Sequence, residues 1–481
     1  GTFKMIQKAD TVGVFQIESR AQMSMLGRLK PACYYDLVVQ VAIVRPGPIQ
    51  GGMVHPYLRR RRGLEPVTYP LPSLEPVLAR TYGVPLFQEQ VMKLAMVAGD
   101  FTAGEADQLR RAMGPWRASR GLNPILERLM DRMESKGISR IYARQIADQI
   151  RGFGEYGFPE SHAASFALLA YASSYLKCHY PEVFAAALVN SQPMGFYRPH
   201  TILHDAARHG VEVRPLDMNH SRWDCTLEPP MLGGEGPRAL RMGLRMVKGL
   251  AVERATSLVE SRDTGGSFRD MEDLVFRTGC PAHVLFKLAV AGALDALVPD
   301  EGLEVRQRRV RAIWSAHRFY GDDRGILART PMETRLPAFP GMERADRLVT
   351  EHHHGGTAMD IHPLELIRPW LKEHRYLTSK EVKRTPSGRR LRTAGLVIVR
   401  QRPPTAAGML FVTLEDEEGF VDLVVPPAVR KDFRTPLLTH PILAAEGILQ
   451  RDGNSAALKV TAVHPLYLAD VPIRGVSRDF R

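Results

Sequence analysis

Ala394-Gly395-Leu396-Val397-Ile398-Val399 reads as a β-strand, and four similar runs follow it: Met409 to Leu414, Phe420 to Val425, Ile442 to Gly447 and Ala457 to Ala462. Each is short and mostly apolar. Turn-forming residues separate them, notably at Glu415 to Gly419 and at Asp452-Gly453-Asn454. Five such strands in close succession predict a small closed barrel of the oligonucleotide-binding type. The Glu415-Asp416-Glu417-Glu418 cluster then reads as an acidic turn between two of its strands.

Before Arg392 the periodicity is helical. Residues 300–380 carry Pro331, Pro337 and Pro340 and the run Glu351-His352-His353-His354-Gly355-Gly356, a connector with one or two helices. Residues 215–300 read as compact helices with glycine hairpins, at Met246-Val247-Lys248-Gly249-Leu250 and Ala289-Val290-Ala291-Gly292-Ala293-Leu294. Residues 1–200 read as helices joined by Pro/Gly-rich loops. One starts at a capping box, Thr102 with Glu105 three residues on, and Gly114-Pro115 stops it. Another starts near Ser161, carries Phe166, Leu169, Ala170, Ser173 and Leu176 at helical spacing, and breaks at Tyr180-Pro181. The fold class is therefore multidomain α+β, mostly helical with a C-terminal barrel.

The chain has 481 residues, 44% hydrophobic and 24% charged, which excludes a disordered chain, a collagen and a coiled coil. At ~150 residues per domain it holds roughly three. The net charge is +13. Ten Lys/Arg against three acids fall within residues 1–62, an asymmetry that fits a polyanionic partner and equally, on charge alone, a merely solvated basic surface. Cys33, Cys178, Cys225 and Cys280 show no metal or disulfide spacing. No apolar run approaches the ~20 residues that span a bilayer. The start, Gly1-Thr2-Phe3-Lys4, has no initiator Met and no signal pattern, so the expectation is a piece of a longer cytoplasmic protein.

Several residues invite phosphate chemistry, each with a plainer alternative. Arg110 and Arg111 offer two planar forks to a triphosphate, or pair with Asp107 along their helix. His162, after Tyr156-Gly157-Phe158-Pro159-Glu160-Ser161, sits at a helix N-terminus suited to an anion, or simply hydrogen-bonds in the first turn. Arg45-Pro46-Gly47-Pro48 is a stiff turn that points one cation outward. Arg59 to Arg62 can contact phosphates or form a solvated face. Val247-Lys248-Gly249-Leu250 resembles a helix-hairpin-helix, whose glycine lets backbone amides approach a DNA phosphate, or is a helix C-cap. His352 to His354 lack ligand spacing, so no metal site is expected there. There is no Asp-x-Asp with apolar flanks, no Walker loop, no G-x-S-x-G and no H-E-x-x-H, so the residues themselves display phosphate-binding parts without a catalytic centre.

Five motifs occur in order: Thr11 to Arg20 (TVGVFQIESR), Arg45 to Pro48 (RPGP), Leu86 to Met92 (LFQEQVM), Asp107 to Gly114 (DQLRRAMG) and Tyr156 to Ala164 (YGFPESHAA). Together the string resembles the fingers region of the bacterial C-family DNA polymerases, the DNA polymerase III alpha-subunit family. The resemblance continues through the hairpin region and barrel, and within the family it is greatest to the error-prone DnaE-type branch. It implies fingers over 1–212, a helix-hairpin-helix duplex-binding region over 213–300, a connector over 301–385, an oligonucleotide-binding barrel over 386–470 and a tail over 471–481. It also implies that Arg45, Arg110, Arg111, Ser161 and His162 bind the incoming dNTP. Lys248 and Gly249 would meet duplex DNA, and Arg400 and Arg402 single-stranded template, while Arg59 to Arg62 remain DNA-binding candidates by their charge. The family's catalytic aspartates and their Mg2+ belong to a palm expected upstream of Gly1, so this chain alone is expected to be inactive. Asp323-Arg324-Gly325-Ile326-Leu327 does not match a clamp-binding peptide, which suggests recruitment by accessory mutagenesis proteins. The competing hypothesis is a stand-alone, non-enzymatic DNA-binding module.

Overall fold

A computed structural model describes residues 1–113, 121–152, 158–230, 236–299, 305–319, 341–350, 362–403, 406–452, 455–467 and 478–480. The chain forms two compact units. One comprises Gly1–His179, Arg402–Met409 and Arg451–Ala456; the other Tyr180–Gln401, Leu410–Gln450 and Ala457–Arg481.

The first unit is helical. Its central helix, Tyr34–Ile43, is mostly apolar, and Leu37 to Ile43 are all fully or almost fully buried. The 20-residue helix Glu160–His179 packs on it and begins and ends where the sequence predicts. Its buried face is a different one, however. Ala163, Ala167, Ala170, Ser174 and Lys177 face inward, while Leu169 and Leu176 are 50% and 43% exposed. Small side chains let the two helices approach closely, and the larger apolar stripe is displaced around the helix. Lys177 reaches inward and donates to the Val12 carbonyl at 3.0 Å. The capping box forms as predicted: the Glu105 amide donates to Thr102 Oγ1 at 3.3 Å and the Thr102 amide to Glu105 Oε2 at 2.9 Å. Helix Ala103–Ala112 follows, and the Gly114-Pro115 stop lies outside the described residues.

The second unit contains a three-stranded sheet that helical periodicity did not reveal: β1 (Val213–Arg214), β2 (Thr226–Glu228) and β3 (Ala239–Arg241), in the order β1-β3-β2. Strands of two or three residues are too short to show a period. Helices Val252–Gly265, Met271–Thr278 and Ala282–Ala291 follow.

All five predicted barrel strands are present: β5 (Arg390–Gln401), β6 (Leu410–Asp416), β7 (Gly419–Val425), β8 (Ile442–Asp452) and β9 (Ser455–Pro465). The order β5-β6-β7-β9-β8 closes through β5–β8 pairing, with β7 and β9 parallel, a five-stranded barrel of the oligonucleotide-binding type. A Cβ at Gly447 would stand 2.2 Å from the Lys459 carbonyl oxygen, so glycine is what lets β8 and β9 approach there. A short strand, β4 (Tyr376–Leu377), adds parallel to β5, and β10 (Arg478–Phe480) also pairs with β5.

The acidic cluster corrects the turn reading. Glu415 and Asp416 lie in β6, 1% and 2% exposed. Asp416 accepts from the amides of Ser379, Glu418 and Gly419 and from the Ser379 hydroxyl, while Arg368 Nη2 donates to Glu417 Oε2 at 2.7 Å. Burial outweighs these bonds and raises the Asp416 carboxyl above its usual range. The cluster thus ties the barrel to the helices beside it, and only Glu417 and Glu418 form the turn.

Candidate nucleic-acid and nucleotide interface

The entrance of helix Glu160–His179 gathers three of the residues singled out from sequence. Ser161 and His162 are exposed in its first turn. The His162 ring lies edge-on to Phe158 at 5.2 Å and 4.2 Å from Phe166, and Phe15 continues the row at 5.3 Å from Phe166. Arg45 holds its guanidinium 4.5 Å over the other end, on the Phe158 ring. Its Nη2 donates to Gln16 Oε1 at 3.3 Å and its Nε to the Val41 carbonyl at 3.4 Å. Arg45 and His162 therefore share one aromatic row, although 117 positions separate them.

Sequence reasoning missed the supports of this entrance. The Glu160 amide donates to Glu89 Oε2 at 3.0 Å, and the Gln88 amide to the Phe158 carbonyl at 3.2 Å. Tyr35 donates its hydroxyl to Glu160 Oε1 at 2.9 Å under the Arg80 guanidinium, 3.9 Å from the Tyr35 ring. Burial, reinforced by Glu160, raises the Tyr35 phenol pKa. Only the fold brings these distant positions together, so no local spacing marks them. Tyr156 and Gly157 lie outside the described residues.

Arg110 and Arg111 adopt the paired arrangement. Asp107 takes Arg110 through Oδ1 and Arg111 through Oδ2, at 2.9 and 2.8 Å. The Arg110 hydrogen bond, with both positive charges, lowers the Asp107 pKa. Both guanidiniums remain open to solvent, Arg111 the more so at 68%.

The basic run Arg59 to Arg62 separates into different environments. Arg59 is exposed and shares Glu65 with Arg60. Arg61 turns inward: Nη1 and Nη2 donate to Asp36 at 2.5 and 2.8 Å, and Nε to the Leu29 carbonyl at 3.1 Å. Burial would raise the Asp36 carboxyl, but Arg61 and the Ala32 and Cys33 amides hold it below its usual range. Arg61 thus corrects the expectation of four outward cations. Arg62 donates to the Arg28 carbonyl at 2.9 Å.

In the second unit the hairpin is formed. A short 3-10 turn, Leu244–Met246, leads into Val247-Lys248-Gly249-Leu250 and helix Val252–Gly265. Gly249 has φ +73, a left-handed conformation that favours glycine. Its carbonyl accepts from Lys287 Nζ at 2.8 Å. Lys248 is exposed beside a cavity of about 420 Å³ also lined by Arg198, His200, Arg245 and Met246. Partial burial and the Arg198 charge lower the Lys248 pKa. Arg245 is engaged with Asp224 at 2.7 Å and the Gln192 carbonyl at 3.2 Å.

On the barrel, Arg402 is exposed but Arg400 is not. Arg400 is 5% exposed and donates to the carbonyls of Leu437 and His440, both at 2.6 Å. Its position on β5 turns it into the protein, which corrects the expectation of a template-facing side chain. His352 to His354 and Asp323 to Leu327 lie outside the described residues. All four cysteines are free thiols. Among the described residues no helix is long and apolar enough to cross a membrane.

A helix-hairpin-helix and an oligonucleotide-binding barrel in one chain define the fold class of nucleic-acid-handling proteins. Residues 1–137 match the family model of the bacterial DNA polymerase III alpha subunit finger domain, and residues 210–302 the helix-hairpin-helix motif. A protein of Methylococcus capsulatus named error-prone DNA polymerase is 50% identical over 94% of this chain and 44% of its own length. Proteins with that name from Pseudomonas fluorescens and Pseudomonas aeruginosa are 50% and 48% identical over 100% of this chain and 46% and 45% of theirs. By these matches the chain is similar to the bacterial C-family DNA polymerases, the DNA polymerase III alpha-subunit family, and to their error-prone, DnaE-type members. It spans about half the length of the curated relatives it matches.

Proposed function

We propose that this chain is the nucleotide- and DNA-handling part of an error-prone DNA-directed DNA polymerase acting in damage tolerance. The observation that carries the reading is the convergence of Arg45, Phe158 and His162 at one helix entrance, inside a chain about 50% identical to proteins named error-prone DNA polymerase. The division into fingers over 1–212, hairpin region over 213–300, connector over 301–385 and barrel over 386–470 is kept as part of the proposal.

In this reading Arg45 and His162, with Ser161, border the incoming dNTP, and the aromatic row supplies flat apolar surface for a base. Arg110 and Arg111 exchange Asp107 for the triphosphate, whose oxygens accept their planar forks of donors. Lys248 and the backbone at Gly249 meet a duplex phosphate, while Arg59 and Arg402 add phosphate contacts.

The similarity to DNA polymerases implies a divalent cation in the complete enzyme, Mg2+ by expectation. A hard cation takes oxygen ligands. Arg45, His162 and the phenyl rings supply none, and the carboxylates beside them are engaged, Glu89 by the Glu160 amide and Glu160 by the Tyr35 hydroxyl, so the entrance does not fit the metal. Cytoplasmic location and recruitment by accessory mutagenesis proteins complete the proposal.

The test is dNTP binding in the presence of primer–template DNA, followed by fluorescence. Arg110→Ala should weaken it about tenfold, as expected for loss of one charge-assisted hydrogen bond. Equal dNTP affinity in wild type and variant would refute the assignment.

A further inference from the structure

The helix Pro363–Glu373 and the short strand β4 meet at a turn where Arg375 takes φ +60. Three rings collect there. The Trp370 indole lies 4.1 Å from the His374 ring with 24° between planes, and 6.1 Å from the Tyr376 ring at 19°. His374 Nδ1 is 2.9 Å from the Trp370 carbonyl oxygen, which fixes one ring of the stack. Trp370 is 43% exposed and His374 is also exposed. Near-parallel rings held open to water are an unusual use of a large apolar side chain, because over two fifths of Trp370 stays exposed.

The surroundings are basic. Parallel pairing sets Tyr376 beside Arg392, and Arg390 is two residues back on the same face of β5. Arg390 and Arg392 face Ile448 and Glu446 across the β5–β8 pairing, and Ile448 adds an exposed apolar surface, 42% accessible. Arg392 pairs with Glu446 at 2.6 Å. Among the described residues, Arg375, Arg389 and Arg390 make no ion pair. Glu373, exposed at the end of the helix, is the opposing charge nearby in sequence.

We propose that this face, formed by Trp370, His374 and Tyr376 with Arg375, Arg390 and Arg392, is a stacking platform for single-stranded nucleic acid. Every base has a flat π-face that joins parallel rings without regard to sequence, and the arginines track the phosphates at either side. Charge complementarity selects the occupant: an apolar peptide has no use for a ring stack bordered by the guanidiniums of Arg375 and Arg390, which make no ion pair among the described residues, whereas a single strand uses both rings and charges. A duplex keeps its bases stacked inside and meets only the arginines. The platform lies on the outer face of β4, β5 and β8, away from Arg400, whose donors are directed inward. The inference rests on the reading of this chain as one that handles DNA.

The experiment compares the full chain with Trp370→Ala and Trp370→Phe, binding oligo(dT) of about 20 nucleotides and a duplex of equal length. Trp370→Ala should lose about tenfold in oligo(dT) affinity with duplex affinity unchanged, and Trp370→Phe should retain most of it. Oligo(dT) should quench wild-type tryptophan emission more than that of Trp370→Phe. Thermal melts check that both variants fold. Unaltered oligo(dT) affinity in a folded Trp370→Ala, or an equal loss for duplex, would overturn the platform while leaving the functional reading intact. A wild-type chain that binds neither form of DNA would overturn both.

Discussion

Two arginine-rich runs look alike in the sequence and differ in the structure. Arg59 to Arg62 occupy the end of a helix, where successive side chains turn by about 100°. Arg61 therefore reaches Asp36 in the interior, Arg60 divides between Glu65 and the Tyr82 carbonyl, and Arg59 is left outside. Arg389-Arg390-Leu391-Arg392 enters strand β5, where side chains alternate. Leu391 goes into the barrel, 8% exposed, while Arg390 and Arg392 share one outer face. The helical run is largely spent on holding its own unit together, whereas the strand run presents its charge outward. A count of positive charges in the sequence treats the two alike. Backbone period decides which of them can meet a polyanion.

The strongest way to break this contrast is Arg61→Ala. Removing one partner of a largely buried bidentate pair should destabilise the chain by about 3 kcal/mol in denaturant unfolding. Arg59→Ala should stay within about 0.5 kcal/mol of wild type. Equal effects of the two would show that the helical run is not partitioned as described. Next, Gly249→Ala forces a side chain into a left-handed conformation. It should cost about 1 kcal/mol and weaken duplex binding, both measurable on one preparation. Arg390→Glu should leave stability unchanged and lower the log–log salt slope of single-strand binding by about one unit. An unchanged slope would remove the strand run from the DNA track.

The smallest effect concerns acid. The Arg132 hydrogen bond and the Thr102 amide hold Glu105 down to about 2. A depressed folded pKa means the contribution is complete above the unfolded value, near 4.3, and fades as pH falls from there towards 2. Thermal melts across that window should show Glu105→Gln losing the wild-type acid sensitivity in part. Identical pH profiles would contradict the assignment.

How much of this was legible beforehand depended on the range of the interaction. The five barrel strands, the Thr102 capping box and the break at Tyr180-Pro181 rest on neighbours within a few positions, and all were readable. The hairpin at Gly249 was also readable, because a left-handed turn leaves a glycine in the sequence. The inward turn of Arg61 and Arg400 was not, since Asp36 and the Leu437 carbonyl are remote in the chain. The buried face of Glu160–His179 misled for another reason: an alanine stripe and a leucine stripe have the same period, and only the partner helix selects between them. At the candidate site, spacing alone left Arg45 and His162 unrelated. Phe158, under the Arg45 guanidinium and edge-on to His162, is what joins the two.

If this chain handles DNA through a cationic surface, the salt dependence of its primer–template affinity shows it most directly. Several phosphate contacts release counterions, so affinity should fall by at least about tenfold between 50 and 200 mM salt. Anisotropy of a labelled primer–template would read the change. An affinity that is flat across that range, or no binding at low salt, would contradict the account.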